Sequence, residues 1–304
     1  MTAHPKDYLQ LHFIVLLWGF TAILGVIISI PAVEMVFYRT LLAACGLLLL
    51  LKWSGRNLWP GRGPVGSMLL TGILIAAHWI LFFAAARVSS VSICLAGMAT
   101  GTLWTSVLEP VIMKRPFKWY ELLLGAVVIL GLYVIFRFEF DHALGLTMAV
   151  ASAFLSSAFT VINSRLTQHH NHYLITFWEM VGACLATALF FPLYSSTLAA
   201  GGALQLGLNW VDVSCLLGLA LVCTVYAYSV SVELQKRLSA FTVNLTVNLE
   251  PIYGILLAII IFGEHKQLTT GFFVGTLIIL SAVLIYPVLV RLERRRQLSA
   301  RKIQ

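Results

Sequence analysis

The chain is a succession of ten long apolar stretches separated by mostly short polar connections. Each stretch has roughly the 20 predominantly apolar residues that a helix needs to cross a bilayer. The connections leave no room for a soluble domain. The pattern predicts an all-α polytopic membrane protein with spans at residues 9–30, 32–51, 67–86, 88–113, 117–137, 143–166, 173–194, 211–234, 239–262 and 268–290.

The ninth span is the least uniform in its apolar character. Its sequence, SAFTVNLTVNLEPIYGILLAIIIFGE, holds Asn244, Asn248, Glu250 and Pro251 near the middle. An ionisable residue at membrane depth is expensive and is therefore a candidate functional residue. On a helix these polar side chains fall on two stripes, because surface neighbours are three or four residues apart. The span should thus lie between other helices and a cavity, with a bend or break at the proline.

Composition supports a membrane protein and weakens other classes. The 304 residues are 60% hydrophobic and 11% charged, whereas a soluble domain is about 25% charged. A net charge of +8 can indicate nucleic acid, but the basic residues lie in short connections and at the C-terminus, where orientation in a membrane explains them. The five cysteines lie in or beside apolar runs without metal-ligand spacing. We expect no nucleic-acid partner, metal or cofactor.

The basic residues also predict the orientation. Of the 20 lysines and arginines, Arg39 lies inside a span, and the outer connections hold Arg87, Arg137 and Lys266 if the N-terminus is inside. All the others then fall on the cytoplasmic side, as the positive-inside rule requires. We expect a protein of the cell (inner) membrane with both termini in the cytoplasm. Residues 291–304 would form a basic cytoplasmic tail that meets anionic lipid headgroups.

The two halves of the chain are weakly alike. An ungapped shift of 150 residues pairs Arg87 with Arg237 and Gly101 with Pro251, two helix-weakening residues at matching depth. Two halves of five spans must insert with opposite orientation. This is the inverted-repeat plan of secondary transporters, in which interrupted helices mark a binding site at the membrane midplane. We expect the first five-helix repeat at 1–140 and the second at 141–290.

Several short motifs are spread over nearly the whole chain. They are Leu17-Trp18-Gly19-Phe20, Phe37-Tyr38-Arg39-Thr40-Leu41-Leu42, and Pro251 with Phe262-Gly263-Glu264 followed by Gly271 and Gly275. In this combination the chain resembles the EamA-like family of the drug/metabolite transporter superfamily.

The resemblance implies two inverted five-helix halves around a central cavity. It also implies transport of amino acids, nucleosides, sugars, vitamins or other metabolites, frequently outward. The first half departs from the motif, since Ile112-Met113-Lys114 stands where Phe262-Gly263-Glu264 would recur and Gly101 replaces the proline. The substrate therefore does not carry over from the family.

Two pairs of polar residues are candidates for function. Arg39 and Glu179 hold corresponding positions in the two halves with opposite charge. We expect a gate or a substrate clamp there, with the guanidinium suited to a carboxylate or phosphate; a structural ion pair is the alternative. His78 lies mid-span, and histidine exchanges protons near neutral pH. Together with Glu250 it could couple transport to a proton gradient, while a satisfied core histidine is the alternative.

Aromatic residues complete the predicted site. They would line it for an apolar or aromatic solute, although helix packing and interfacial anchoring also use such residues. The predicted substrate-binding residues are Trp18, Arg39, His78, Trp79, Trp104, Glu179, Tyr228, Asn244, Asn248 and Glu250.

These features predict a secondary active transporter rather than an enzyme. It would export amino acids or other small metabolites by alternating access, with protons as a candidate coupling ion and membrane lipids as its surroundings. No Walker loop, nucleophile elbow or HExxH motif is present, which argues against ATP-driven or hydrolytic chemistry. Two alternatives stay open: a membrane-embedded enzyme that uses His78 and Glu250 as acid and base, and a lipid or solute facilitator without coupling.

Overall fold

The computed structural model describes residues 4–138, 140–247, 249–263 and 268–301. Over these residues the protein is a bundle of helices without a strand, and short 3₁₀ turns occupy two of the connections. The ten helices are α1 Pro5–Ile27, α2 Ala32–Trp53, α3 Arg62–Val88, α4 Val91–Met113, α5 Trp119–Phe138, α6 Ala143–Leu166, α7 His172–Thr197, α8 Trp210–Leu234, α9 Ala240–Phe262 and α10 Thr270–Arg301.

The helices match the predicted membrane spans. Eight are long and apolar enough to cross a membrane, and α5 and α10 contribute the shorter apolar segments Trp119–Ile135 and Thr270–Tyr286. The predicted ten-helix fold is confirmed. The largest difference in a boundary is at the C-terminal end, where α10 continues through Arg301, so much of the predicted basic tail extends the last helix.

Large apolar side chains point outward from the bundle. Leu189 is 80% exposed, Ile260 77% and Leu277 68%. Polar side chains, by contrast, are often buried between helices. A lipid environment requires this distribution, because the bilayer core offers no hydrogen-bonding partners to polar groups on the outside.

The two halves are related by a pseudo-twofold arrangement of contacts. α3 packs against α6 and α7, and correspondingly α8 packs against α1 and α2. Likewise α4 contacts α6, and α9 contacts α1. Matching helices of the two halves also pack together, as α2 with α7, α4 with α9 and α5 with α10. Two inverted five-helix repeats produce this reciprocal pattern.

Helices α4 and α9 are interrupted at matching places. α4 consists of Val91–Met98 and Gly101–Met113, and α9 of Ala240–Val247 and Glu250–Phe262. At both joints an amide bonds the carbonyl three residues back, over 3.1 Å in α4 and 3.0 Å in α9. Pro251 lies in the first turn of the second segment of α9, where its missing amide hydrogen costs little. The predicted interruptions of these two helices are therefore present.

Two further irregularities have no counterpart in the sequence prediction. α1 is interrupted at Phe20, between Pro5–Gly19 and Thr21–Ile27. α8 winds as a π-helix from Gly218 to Tyr228. π-Helical turns are rare overall, but those that occur are often found at functional sites. Both irregular segments lie next to the central cavity described below.

Glycines allow α3 and α7 to approach closely. A Cβ atom on Gly72 would overlap with the carbonyl oxygen of Glu179 and lie 2.8 Å from the amide nitrogen of Ala183. A Cβ on Gly182 would lie 2.8 Å from the Cα of Leu69. Small residues serve this purpose at helix crossings in membranes.

Replacing Gly72 with alanine is expected to destabilise the protein. The new methyl group meets backbone atoms that cannot rotate away, and overpacking of this kind costs about 1–3 kcal/mol. Thermal unfolding of the purified protein in detergent measures the loss. Gly66→Ala on the same helix is the matched control, because a Cβ there meets nothing within 4 Å and alanine favours helix formation. Equal melting temperatures for the two variants would contradict the close α3–α7 crossing.

Candidate functional site

A cavity of about 80 Å³ lies between the two halves. It has room for several water-sized groups, since one water needs only about 10–15 Å³ by the same measure. Its walls come from α1–α4, α6, α8 and α9. The lining residues are Trp18, Thr21, Arg39, His78, Trp79, Phe82, Met98, Ser156, Phe159, Thr160, Cys223, Tyr228, Ser231, Gln235, Val243, Asn244, Val247 and Glu250.

Arg39 is the cationic group of the cavity. It is 3% exposed, and its Nε donates to Thr224 Oγ1 over 3.0 Å. The guanidinium carbon lies 3.7 Å from the ring centroid of Trp79, close enough for a cation–π interaction. Among the described residues no acceptor is hydrogen-bonded to its two terminal nitrogens. Thr224 thus holds the side chain at Nε, and Trp79 covers one face of the guanidinium. The two terminal nitrogens remain available to an anion.

Glu250 is the acidic group of the same cavity. It is 8% exposed and begins the second segment of α9, where the partial positive charge of a helix N-terminus favours an anion. The Thr21 hydroxyl is a polar neighbour, and the charge of Arg39 also acts on it. No basic nitrogen of the described residues forms an ion pair with it. The cavity therefore contains one cationic and one acidic group that are not joined to each other.

His78 and Asn244 extend the polar part of the lining. Nδ1 of His78 lies 2.7 Å from Ser152 Oγ and 3.0 Å from the Ser152 carbonyl oxygen. The amide of Asn244 donates to Thr105 Oγ1 over 2.6 Å. Both side chains are thereby fixed by neighbouring helices. Nε2 of His78 has no hydrogen-bond partner among the described residues.

Aromatic rings form much of the remaining wall. Trp18 donates its indole hydrogen to the carbonyl of Cys223 over 3.0 Å. Trp79 meets Tyr228 edge-on with centroids 6.4 Å apart, and Phe159 meets Tyr228 at 6.0 Å. Such rings offer apolar surface with little conformational freedom, which suits an apolar or aromatic group.

Glu179 lies behind this wall rather than in it. It is fully buried, and its Oε2 accepts the hydroxyl hydrogen of Tyr228 over 3.0 Å. The amide of Asn163 donates to the same hydroxyl oxygen over 2.7 Å. Arg39 and Glu179 do not form an ion pair in this conformation, because α8 supplies a separate partner to each: Thr224 and Tyr228.

Of the two remaining predicted residues, one is described by the structure and lies away from this lining. Trp104 packs edge-on against Phe154, with centroids 5.3 Å apart, and does not line the cavity. Asn248 lies outside the described residues. Conversely, three polar residues at or beside the cavity were not predicted from the sequence: Thr21, Asn163 and Thr224. Each is a polar residue within an apolar run, and the same signal identified the polar residues of the ninth span.

Hydrogen bonds hold the end of α1 in place at one end of the bundle. Arg87 donates to the carbonyls of Gly25, Ile28 and Ile30 at the end of α1. The hydroxyl and amide of Ser29 both donate to the carboxylate of Asp212 on α8, each over 2.7 Å. The end of α1 is therefore fixed to both α3 and α8.

Ionic contacts join the halves at the opposite end. Glu109 on α4 accepts from Arg115 over 3.1 Å and from the amide of Phe241 on α9 over 3.0 Å. Arg237, in the connection after α8, pairs with Asp7 on α1 at 2.9 Å. The central cavity thus lies between two sets of contacts that cross from one half to the other. Among the described residues, no group of three histidine, cysteine or acidic side chains could hold a metal ion.

Two inverted five-helix halves that enclose a polar, aromatic-lined cavity define a multi-pass helical membrane protein with an internal cavity. The sequence model of the EamA-like transporter family matches residues 8–137 and 143–286, one half each. The chain therefore belongs to the EamA-like transporter family of the drug/metabolite transporter superfamily. It is a membrane transporter for a small-molecule solute, in a family of transporters rather than enzymes.

Similarity to a solved structure agrees with this fold. One structure, described only as "Crystal structure of protein", has a TM-score of 0.68 and 13% sequence identity, over 95% of this chain and 100% of the other. At that identity the likeness concerns the fold alone. The comparison with curated proteins found no match.

Proposed function

We propose that the protein is a secondary active transporter that exports amino acids or other small metabolites by alternating access. The observation that supports this most is that one buried cavity contains both an available guanidinium, that of Arg39, and a separate acidic group, that of Glu250. The transporter would lie in the cell (inner) membrane with both termini cytoplasmic, its repeats spanning 1–140 and 141–290. The basic residues of 291–304 would lie against anionic lipids.

An amino acid fits the chemistry of the lining. Its carboxylate suits the planar fork of Arg39, which binds such groups through two parallel hydrogen bonds. Its ammonium group suits Glu250, and an apolar or aromatic side chain suits the rings of Trp18, Trp79 and Tyr228. Other metabolites with one anionic and one cationic group would share the first two contacts.

The symmetry of the two halves supports alternating access. The contacts of α3 with α6 and α7 are repeated, inverted, by α8 with α1 and α2. If the halves exchange conformations, the same cavity opens to the other side of the membrane. The interrupted helices α4 and α9 both border the cavity, so bending at their joints is a natural means of opening it.

Ser152 and Cys223 are not arranged as nucleophiles for the enzyme alternative. Ser152 lies against His78, but it is fully buried and its hydroxyl also bonds the His78 carbonyl oxygen over 2.8 Å. It is therefore closed to a solute in the cavity. Cys223 lines the cavity with its thiol directed to the carbonyl of Leu17, and no acid–base group is bonded to it among the described residues. A carrier needs neither group for chemistry.

Thermal unfolding identifies the solute class. We expect a zwitterionic amino acid to stabilise the purified protein by an amount that rises with the logarithm of its concentration, reaching about 2.7 kcal/mol at 100 times the dissociation constant. The panel contains amino acids, nucleosides, sugars and vitamins at two pH values. Stabilisation by none of them would contradict the metabolite-carrier proposal and favour a lipid substrate.

Flux separates a carrier from a passive facilitator. In proteoliposomes loaded with the stabilising solute, a carrier accelerates uptake when the same solute is present on the other side. A facilitator gives flux that depends on the concentration difference alone. Absence of exchange acceleration would therefore contradict alternating access.

A further inference from the structure

Glu179 is a buried carboxyl group without a counter-charge. It is fully buried between helices, and among the described residues its Oε1 has no hydrogen-bond partner. Its Oε2 accepts the hydroxyl hydrogen of Tyr228, and the neutral amide of Asn163 is its other polar neighbour. The desolvation cost of an ionised carboxylate in such a place is larger than hydrogen bonds from neutral groups offset.

The elements packed around Glu179 offer no cation to it. On α2, Arg39 is directed to Thr224 and Trp79. On α3, Gly72 packs against the backbone of Glu179. The titratable His78 of the same helix is bonded to Ser152. α6 contributes the neutral amide of Asn163, and α8 the hydroxyl of Tyr228. None of these groups forms an ion pair with the carboxyl in the part of the chain that the structure describes.

Hydrogen-bonding capacity also points to a proton at this position. In the described part of the chain, Oδ1 of Asn163 is a second buried acceptor without a donor. Two acceptor oxygens in the cluster of Glu179, Tyr228 and Asn163 thus lack a donor there. One proton on the carboxyl group removes the excess negative charge and adds a donor to the cluster, and buried polar groups are normally satisfied in this way.

Helix α8 connects Glu179 to the solute cavity. Tyr228 lines the cavity with its ring and binds Glu179 with its hydroxyl. Thr224, one turn earlier in the same π-helical segment, binds Arg39. The ring of Trp79 touches both Arg39 and Tyr228. An anion that draws Arg39 away from Thr224 therefore acts on the segment that carries the hydrogen bond to Glu179.

We propose that Glu179 is the proton-binding site of the transport cycle and that it is separate from the solute-binding groups of the cavity. The carboxylate takes a proton from water on one side of the membrane, and the carboxylic acid returns it to water on the other. No other bond forms or breaks. The assignment rests on the proposed transporter function, and it moves the coupling role from His78 and Glu250 to Glu179.

Infrared spectroscopy tests the protonation without any solute. The full-length protein in lipid vesicles is titrated from acidic to alkaline buffer, and the carbonyl stretch of protonated carboxylic acids is followed. Wild type should show a band that persists at neutral pH, where exposed carboxyl groups are ionised, and that disappears in alkaline buffer; Glu179→Gln should lack this band. Glu233→Gln, at a partly exposed carboxyl 3.7 Å from His172, should keep it. A titrating band that survives in Glu179→Gln but is lost in Glu250→Gln would overturn the assignment.

Transport tests the coupling, with phenylalanine as the probe solute. Glu179→Gln should retain exchange of phenylalanine without a pH gradient. With a pH gradient, the variant should accumulate at least about tenfold less phenylalanine than wild type. Loss of exchange and accumulation together, in a variant that melts like wild type, would overturn the proposal.

The two proposals fail in distinguishable ways. If wild-type protein moves no phenylalanine and nothing else in the panel, the transporter proposal fails, while the infrared titration still decides whether Glu179 holds a proton. If transport is present but independent of pH in wild type, the coupling role fails and the carrier proposal stands.

Discussion

Exchange of Arg39 for glutamine is expected to abolish solute-dependent stabilisation and transport. The substitution removes the only arginine or lysine among the described residues of the cavity lining and leaves the solute's carboxylate without a counter-charge. Breaking one partner of a buried, hydrogen-bonded charge pair costs about 2–5 kcal/mol, which corresponds to about 30-fold or more in the dissociation constant. Thermal titration with the stabilising solute gives the constant directly.

Two companion variants make this result specific. Arg39→Lys keeps the charge but not the planar fork, so it should bind more weakly than wild type and more tightly than Arg39→Gln. Arg165→Gln, at an exposed arginine near the end of α6, should bind like wild type. A dissociation constant unchanged in a folded Arg39→Gln variant would show that the solute does not use the guanidinium.

The ten helices and their inverted halves follow from local features of the sequence. Length and hydropathy identify a membrane span because a bilayer has a fixed thickness, and a helix satisfies its backbone within itself. Gly101 and Pro251 predicted the joints of α4 and α9 because each weakens a helix through its own backbone chemistry. Such properties need no knowledge of the neighbouring helices.

Contacts between helices were harder to predict. Arg39 and Glu179 correspond in sequence, but α8 places Thr224 and Tyr228 beside them. Which face a helix turns inward depends on packing against its neighbours, so depth in the membrane does not determine partners. Trp104 shows the same limit, since it lies within a predicted span yet packs against Phe154 instead of lining the cavity.

The irregular segments were missed for a related reason. The π-helix of α8 begins at Gly218, but a glycine in an apolar run is common in membrane helices and does not specify an extra residue in a turn. The interruption of α1 at Phe20 follows Gly19, where a Cβ would lie 2.9 Å from Cβ of Tyr253 on α9. That constraint comes from the second half of the chain and cannot be read from α1 alone.

Glu250→Gln is expected to weaken binding of solutes that carry an ammonium group by about 30-fold, for the same electrostatic reason as at Arg39. Glutamine has nearly the shape of glutamate, so packing in the cavity is preserved. The apo protein should melt at the same temperature or higher, because a buried carboxylate no longer has to be desolvated. Lower apo stability would indicate that Glu250 holds the helices together instead.

Solute analogues decide whether the two groups bind opposite ends of one molecule. Phenylpropionate keeps the carboxylate and ring of phenylalanine without the amine, and phenethylamine keeps the amine and ring without the carboxylate. We expect Arg39→Gln to affect phenylpropionate alone and Glu250→Gln to affect phenethylamine alone, while phenylalanine is sensitive to both. If each substitution weakened both analogues equally, the two residues would act through the shape of the cavity, and the assignment of separate charged subsites would be wrong.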